Sequence, residues 1–214
     1  MLINELKKKE KEMKRNYIME SAQMLFANKD YEEVSMNDIA NEVGVNRATL
    51  YYYFKNKEAL YFTIVLRGVT ILKNMVIKEM EKGTNGYEEF TLFGAAINNF
   101  YNKYPDCKTM LYSKQSAKFD IDNINASNEY KDVMEILNEL MIILCNSIQN
   151  GIDDGTIRED VDPLEAAILV SLIYESMSNM SFLYKYLLKK KGIDKQKFGV
   201  DVRDLIHYML RNND

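Results

Sequence analysis

The sequence has few of the residues that interrupt helices or that build catalytic and metal sites. Its 214 residues include two prolines and nine glycines, too few for the many tight turns of an all-β fold. The two cysteines, Cys107 and Cys145, are too few for a disulfide framework or a zinc quartet, and His207 is the single histidine. Because 47% of the residues are hydrophobic, the chain can still bury a core. We therefore predict an all-α fold without a metal or other cofactor.

Enzymatic motifs and membrane segments are also missing from the sequence. It contains no glycine-rich phosphate loop, no zinc-ligand spacing and no nucleophile motif. Lysines at positions 7–9 interrupt any N-terminal signal peptide, and the longest apolar stretch, residues 166–174, is shorter than the about 20 residues that span a bilayer. We expect a non-enzymatic protein of the reducing cytoplasm that has no membrane partner.

Charge is distributed unevenly along the chain. The net charge is −4, which by itself argues weakly against nucleic acid binding. Residues 7–15 nevertheless carry six basic and two acidic side chains, and residues 1–60 contain ten basic and ten acidic residues. The basic run is either a solvated helix start or an extra source of phosphate contacts for a DNA-binding segment that follows it.

Apolar periodicity and capping signals predict about nine helices. The first spans about residues 6–28, and Ser35 and Asn46 are predicted to cap two short helices that Gly44 separates. A fourth helix runs from Asn56 to about residue 81. The later helices are predicted at about residues 87–104, 106–116, 128–150, 163–191 and 195–211, with an irregular polar segment at 118–127.

Residues 35–57 carry the main functional signal, and they read SMNDIANEVGVNRATLYYYFKNK. Two short helices with a glycine between them are typical of a helix-turn-helix. A helix of about seven residues is not stable alone, so its neighbours must hold it, and we assign Leu50 and Phe54 to its buried side. Such a protruding helix can enter a major groove about 12 Å wide. Arg47 is the long cation at its N-terminal end, where recognition helices contact base edges.

The segment from Ile18 to Leu60 closely resembles the TetR family of transcription regulators. The matching positions have fixed spacing: Ile18, Ala22, Leu25–Phe26, Tyr31, Val34–Met36, Asp38–Ala40, Val43–Val45, Arg47, Thr49–Tyr51 and Tyr53–Glu58. Ser21, Asp30 and Ala48 depart from the residues usual in the family. The resemblance implies a helix-turn-helix DNA-binding domain at residues 1–55, joined by the long fourth helix to a helical effector-binding and dimerisation domain at residues 56–214.

The resemblance places nine residues against DNA: Ser35, Asn37, Asn46, Arg47, Ala48, Thr49, Tyr51, Tyr53 and Lys57. By their chemistry, Asn37, Arg47 and Ala48 are candidates for base edges, and most of the others suit phosphates, which fix register without reading sequence. Ser35 has a competing role as a helix cap.

The resemblance also implies that the second domain binds a small molecule and forms a homodimer. Candidate pocket residues are aromatic and methionine side chains, which suit an apolar effector but are more often core: Phe93, Phe100, Tyr101, Tyr104, Met110, Tyr112, Met134, Met141, Tyr174 and Met177. Candidate interface residues on the last two predicted helices are Ala166, Val170, Tyr174, Val202, Leu205, Ile206 and Met209. The alternative is that these residues only cover the core of the monomer.

The sequence thus predicts a sequence-specific DNA-binding transcription regulator. The resemblance implies a repressor that binds a pseudo-palindromic double-stranded operator as a homodimer and is released by a small apolar or aromatic ligand. The alternatives are a helical ligand-binding or interaction protein without DNA binding and, with least support, an all-α enzyme.

Overall fold

The computed structural model describes residues 2–111, 127–178 and 180–212, which form ten α-helices and the short 3-10 helix Tyr31–Glu33. The helices are α1 (Leu2–Asn28), α2 (Met36–Val43), α3 (Arg47–Tyr53), α4 (Lys57–Met80), α5 (Gly86–Lys103), α6 (Pro105–Leu111), α7 (Asn128–Asp153), α8 (Pro163–Ser178), α9 (Phe182–Lys190) and α10 (Lys195–Leu210). Apart from an isolated bridge between Ile157 and Arg211, these ranges contain no β-structure. The all-α prediction is confirmed.

The helix predicted across residues 163–191 is two helices in the structure. α8 ends at Ser178, and α9 begins after Ser181, whose hydroxyl accepts a hydrogen bond from the backbone N–H of Tyr184. The prediction of one helix is wrong because the apolar sequence on both sides conceals this cap. Residues 112–116 of the sixth predicted helix, and the irregular segment predicted at 118–127 except for its last residue, lie outside the described residues.

Contacts divide the chain into two compact units. The first consists of Met1–Lys73 and Asn99–Leu137, and the second of Asn74–Asn98 and Asn138–Asp214. As a result, α4, α5 and α7 each contribute residues to both units. The boundary predicted between residues 55 and 56 divides the chain by function, whereas these two units are defined by contacts within the chain. The predicted boundary therefore stays a prediction.

α4 is the most apolar of the long helices. Among the described residues it is the one unbroken helix that is long and apolar enough to cross a membrane. However, 56% of its apolar stretch is buried inside the protein. That burial is typical of a core helix.

Packing in the first unit centres on the helix-turn-helix segment. α1 packs against α2 and α6, and α2 packs against α3. The side chains of Ile18, Ile39, Leu50 and Leu60 are at most 1% exposed. Full burial of a side chain of this size contributes about 1.5–3 kcal/mol, so these residues hold the short helices in place.

Aromatic rings continue this core beyond α3. The ring of Tyr61 in α4 lies 5.0 Å from that of Tyr31, and its hydroxyl donates a hydrogen bond of 2.8 Å to the carbonyl of Met110 in α6. Phe62 makes an edge contact with Tyr130 of α7 at 4.9 Å. The helix-turn-helix therefore shares one core with α4, α6 and the start of α7.

Two capped turns position α2 and α3, as the sequence predicts. Ser35 and Asp38 form a capping box, and hydrogen bonds from the hydroxyl and backbone N–H of Ser35 hold the pKa of the Asp38 carboxyl below its usual value. Gly44 ends α2 with a φ of 74°, a left-handed conformation that glycine adopts without strain. The side-chain oxygen of Asn46 then accepts hydrogen bonds from the backbone N–H and the hydroxyl of Thr49.

In the second unit, the start of α5 lies directly against the end of α7. The backbone N–H of Gly86 donates a 2.7 Å hydrogen bond to the Asp154 carboxylate. A Cβ atom at Gly86 would lie 1.9 Å from the backbone nitrogen of Gly151, so only glycine fits there. Close by in sequence, the N–H of Arg158 donates to the carbonyl of Leu210, which ties down the end of α10.

Replacing Gly86 by alanine should destabilise the protein, because the new methyl group would meet backbone that cannot rotate away. Overpacking costs about 1–3 kcal/mol, and we expect a loss of unfolding free energy at the upper end of this range. Gly94 in the same helix is the matched control, since a Cβ there would lie 3.9 Å from the Tyr174 hydroxyl. Gly94→Ala should stabilise by about 0.5–1 kcal/mol. Urea unfolding measures both changes, and a Gly86→Ala protein as stable as the wild type would contradict the close approach.

The Asn46 cap gives a second stability test. Asn46→Ala removes the acceptor of two hydrogen bonds at the start of α3 and should lower the free energy of unfolding by about 1 kcal/mol. Asn46→Asp keeps a good capping residue and should unfold like the wild type. If the alanine variant shows no loss in urea unfolding, the cap does not support α3.

Candidate nucleic-acid interface

α3 places two of the predicted base-contacting side chains on an exposed surface. Leu50 and Phe54, four residues apart, are 0% and 3% exposed and face the core. Arg47 and Ala48 are exposed, and Tyr51 is 40% exposed. Because the helix has only two turns, burial of the Leu50 side determines which side chains point outward.

The three consecutive tyrosines of α3 differ in exposure. Tyr51 and Tyr52 are 40% and 67% exposed, whereas Tyr53 is half-buried. Tyr52 is the most exposed of the three, and the sequence analysis left it out of the site. It lies two residues from both Leu50 and Phe54, about 200° around the helix from each. The two-residue spacing of Tyr52 from both of these core residues could have predicted from the sequence that Tyr52 is exposed.

Arg47 and Tyr51 interact along the outer surface of α3. The guanidinium Nη2 of Arg47 donates to the Tyr51 hydroxyl at 3.4 Å, and its Cζ lies 5.4 Å from the ring centroid. A guanidinium has five N–H donors. The pair can therefore orient Arg47 while it keeps donors for a bidentate contact with guanine.

Three of the four other predicted residues at the two helix starts, Ser35, Asn46 and Thr49, have structural partners as well. Ser35 and Asn37 are exposed at the start of α2, and the Ser35 side chain forms the capping box. Asn46 and Thr49 bond to each other, so their hydroxyl and amide oxygens stabilise the turn before α3. The amide NH₂ group of Asn46 is the donor that suits a phosphate.

Lys57 is held against the turn that precedes α2. Its ammonium donates to the carbonyl oxygen of Tyr31 at 2.7 Å and lies 4.0 Å from the centroid of the Tyr31 ring. The side chain is half-buried. The ammonium carries three donors, and its predicted phosphate contact stays a prediction.

Basic residues of α1 lie beside the C-terminal half of α3. The ammonium of Lys11 is 4.8 Å from the ring centroid of Tyr52, and the guanidinium carbon of Arg15 is 5.0 Å from that of Phe54. The two helices also line an open groove of about 780 Å³, to which α1 contributes Met13 and α3 contributes Ala48. The basic run thus belongs to a helix that flanks the candidate recognition helix.

The predicted pocket residues fall in both units. The first unit contains Phe100, Tyr101, Tyr104, Met110 and Met134, and the second contains Phe93, Met141, Tyr174 and Met177. Tyr112 lies outside the described residues. Phe100 and Met110 are 0% and 2% exposed, which shows that they serve the core of the first unit. A ligand role for this set stays a prediction.

The residues predicted for a dimer interface differ in their exposure within the protomer, and their role in a dimer stays a prediction. Ala166, Val170 and Ile206 are at most 7% exposed within the protomer, and Tyr174 and Val202 are half-buried. Leu205 and Met209 remain at the surface. The exposed apolar side chains of α8 and α10 are Leu164, Ile168, Leu169, Leu172, Val200, Leu205, Tyr208 and Met209. Apolar residues surround α8, so periodicity does not indicate which side is buried.

Sequence comparison agrees with this interface. Residues 18–64 match the family described as bacterial regulatory proteins, tetR family. The HTH-type transcriptional regulator EthR of Mycobacterium tuberculosis is 25% identical over 101 residues, which cover 47% of this chain and 46% of EthR. The match therefore spans about half the length of this relative.

Solved structures share the fold over most of the chain. The ketosteroid transcriptional regulator KstR2 of Mycobacterium tuberculosis has a TM-score of 0.72 and 13% identity, and the match covers 93% of this chain and 95% of KstR2. AibR in complex with isovaleryl coenzyme A and operator DNA has a TM-score of 0.66 and 19% identity, with 78% and 87% covered. KstR2 is named as a transcriptional regulator, and AibR was solved with operator DNA, although identities this low show the fold alone. Residues 18–64 of this chain are thus similar to the tetR family of bacterial regulatory proteins.

Proposed function

We propose that this protein is a sequence-specific DNA-binding transcription regulator of the cytoplasm that acts as a repressor. The observation that carries the proposal is the exposed face of α3, with Arg47 at its start and Leu50 buried behind it, inside a segment that matches the tetR family. A short helix on a rigid support fits the major groove, where its N-terminal residues meet base edges.

The proposed contacts divide by chemistry. Arg47, Asn37 and Ala48 contact base edges, since all three are exposed on α2 or at the start of α3. The phosphate contacts come from Asn46, Thr49, Tyr51, Tyr53 and Lys57, and from Ser35 to the extent that its cap leaves it accessible. On this proposal the structural partners of these side chains also set their orientation.

The proposed effector is a small apolar or aromatic molecule. AibR, which has the same fold, binds isovaleryl coenzyme A, and the present chain offers many aromatic and methionine side chains to such a ligand. The ligand acts by population shift, because it prefers a state in which the two recognition helices of the dimer are wrongly spaced for the operator. α4 is the proposed lever, since it begins beside α3 in sequence and contributes to both units.

The proposed active form is a homodimer that pairs through α8 and α10. On α8, Leu164, Ile168 and Leu172 follow one another at four-residue spacing and are 44–53% exposed, so they form one apolar stripe. Exposed apolar patches of this kind mark interfaces. A two-fold dimer places two recognition helices about 34–36 Å apart, on half-sites one helical turn apart.

Arg47→Ala should weaken binding to the preferred duplex and relax specificity at the contacted base by about 1–3 kcal/mol. Lys57→Ala should weaken all duplexes alike, because a phosphate contact does not read sequence. The duplex is first selected from a random DNA pool with the wild-type protein, and fluorescence anisotropy then measures each affinity.

Lys82→Ala, which removes an exposed lysine of the second unit that pairs with Glu79, is the control and should bind like the wild type. Wild-type affinity and unchanged base preference in Arg47→Ala would contradict the base-contact assignment. A wild-type protein that enriches no sequence would instead favour a helical ligand-binding or interaction protein.

Charges on the α8 stripe should break the dimer. We expect Ile168→Glu/Leu172→Glu to sediment as a monomer and to lose most of its affinity for the selected duplex, since two half-sites are no longer bound together. Met24→Glu is the control, because Met24 is 55% exposed on α1 in the first unit, and this variant should remain dimeric. Sedimentation velocity decides the outcome: a wild-type monomer, or a double variant that still dimerises, would contradict this interface.

A further inference from the structure

The first turns of α1 extend beyond the buried part of the first unit. Ile18 is the first residue of α1 that is buried, and from Ile3 to Tyr17 every side chain is exposed except that of the half-buried Arg15. This overhang contains six of the ten basic residues found in residues 1–60. A solvated helix start would explain its exposure, but not the arrangement of its charges.

The cations of the overhang continue the buried face of α1. Met19, Ala22 and Phe26 recur at three- and four-residue spacing and are at most 5% exposed. Counting back in steps of four from this stripe leads to Arg15, then Lys11, then Lys7. One helix face is thus apolar where the domain covers it and cationic where the domain ends.

Two contacts show which way this cationic face points. Lys11 lies over the ring of Tyr52, and Arg15 lies over that of Phe54, both at the C-terminal end of the α3 segment. Because an α-helix rises 1.5 Å per residue, Lys7 lies about 6 Å further along α1 than Lys11. Lys14 lies on the same side of α1, about 20° around the helix from Lys7, but it is already paired with Glu10 at 3.0 Å.

We propose that Lys7, Lys11 and Arg15 bind backbone phosphates that flank the base pairs read by α3. This inference rests on the proposed DNA-binding function and extends the contact surface along α1. The three cations lie in a row beside the recognition helix, and DNA presents a continuous row of phosphates to either side of the groove that such a helix occupies.

A membrane surface is the other anionic partner that a basic helix can bind, and the arrangement of α1 argues against it. Helices that lie on membranes place their cations at the border of one apolar face. The exposed apolar residues of the overhang, Ile3, Leu6, Met13 and Tyr17, lie within about 80° of one another, and the middle of this group is about 120° around the helix from Lys11, the central cation. The cationic face and the apolar stripe therefore point in different directions.

The test measures how salt weakens DNA binding by the full-length protein. Each phosphate contact contributes about 0.9 to the slope of log affinity against log salt concentration. Lys7→Gln/Lys11→Gln should lower the slope by about 1.8 for each protomer, or about 3.6 for the homodimer. The loss of affinity relative to the wild type should therefore shrink about 150-fold between about 50 and 200 mM salt when the dimer binds. Glutamine is a good helix former, and the variant should melt at the wild-type temperature.

Lys9 provides the matched control, because it lies between the two mutated lysines in sequence but about 200° around the helix from each. Lys9→Gln should keep the wild-type slope, and Lys11→Gln alone should lose about half as much as the double variant. The probe is a random-sequence duplex longer than one operator, so the readout does not depend on base contacts.

The possible results separate this inference from the proposed function. If the wild type binds DNA and Arg47→Ala weakens it, but Lys7→Gln/Lys11→Gln keeps the full slope, the function stands and the α1 contacts are wrong. If Lys9→Gln lowers the salt slope as much as Lys11→Gln does, the effect depends on overall charge and not on position. That result would also overturn the inference. Binding to phosphatidylserine vesicles that the double variant alone loses, with unchanged duplex binding, would assign the face to a membrane. If the wild type binds no duplex, both proposals fall.

Discussion

The burial of Leu50 is the constraint on which the interface depends. α3 has seven residues, and a helix of that length does not persist in water without tertiary support. Leu50 and Phe54 supply that support from one side of the helix, and the Asn46 cap supplies it at the start. Since a two-turn helix has only one other side, the same contacts that make α3 stable also decide that Arg47 and Tyr51 face outward. The stability of α3 and the outward orientation of its exposed side chains therefore depend on the same core contacts.

The support behind α3 comes from distant parts of the chain. Tyr61 of α4 bonds to Met110 of α6, and Phe62 contacts Tyr130 of α7, so the helix-turn-helix does not rest on its own residues alone. α4 and α7 continue from this core into the second unit without a break in the helix. A ligand that changes the course of either helix would change the support of α3, with no need for a separate linker. The proposed regulation acts through these two helices, because both belong to the core that supports α3.

The features that the sequence predicts correctly are local ones. The caps at Ser35 and Asn46 and the left-handed Gly44 depend on atoms within four residues, so the pattern of residue types is sufficient to locate them. One local feature, the Ser181 cap that separates α8 from α9, is missed because apolar sequence surrounds it. Tertiary choices are not predictable from periodicity. α8 carries apolar residues on every side, and only packing decides that Ala166 is buried while Leu164 is 53% exposed. The division of the candidate pocket residues between two units likewise has no counterpart in helical periodicity.

Electrostatics in this protein depends on placement rather than on the sum of charges. A net charge of −4 suggests poor affinity for DNA, yet at physiological salt the field of a charge is screened within about 8 Å. On the proposed binding mode, a phosphate on the open face of α1 interacts with Lys7, Lys11 and Arg15, and is shielded from acidic residues more than about 10 Å away. Of the two acids in the basic run, Glu10 is paired with Lys14. The property that matters is that one face of α1 changes from apolar to cationic where the domain stops covering it. An acidic protein can then keep DNA affinity without becoming basic overall.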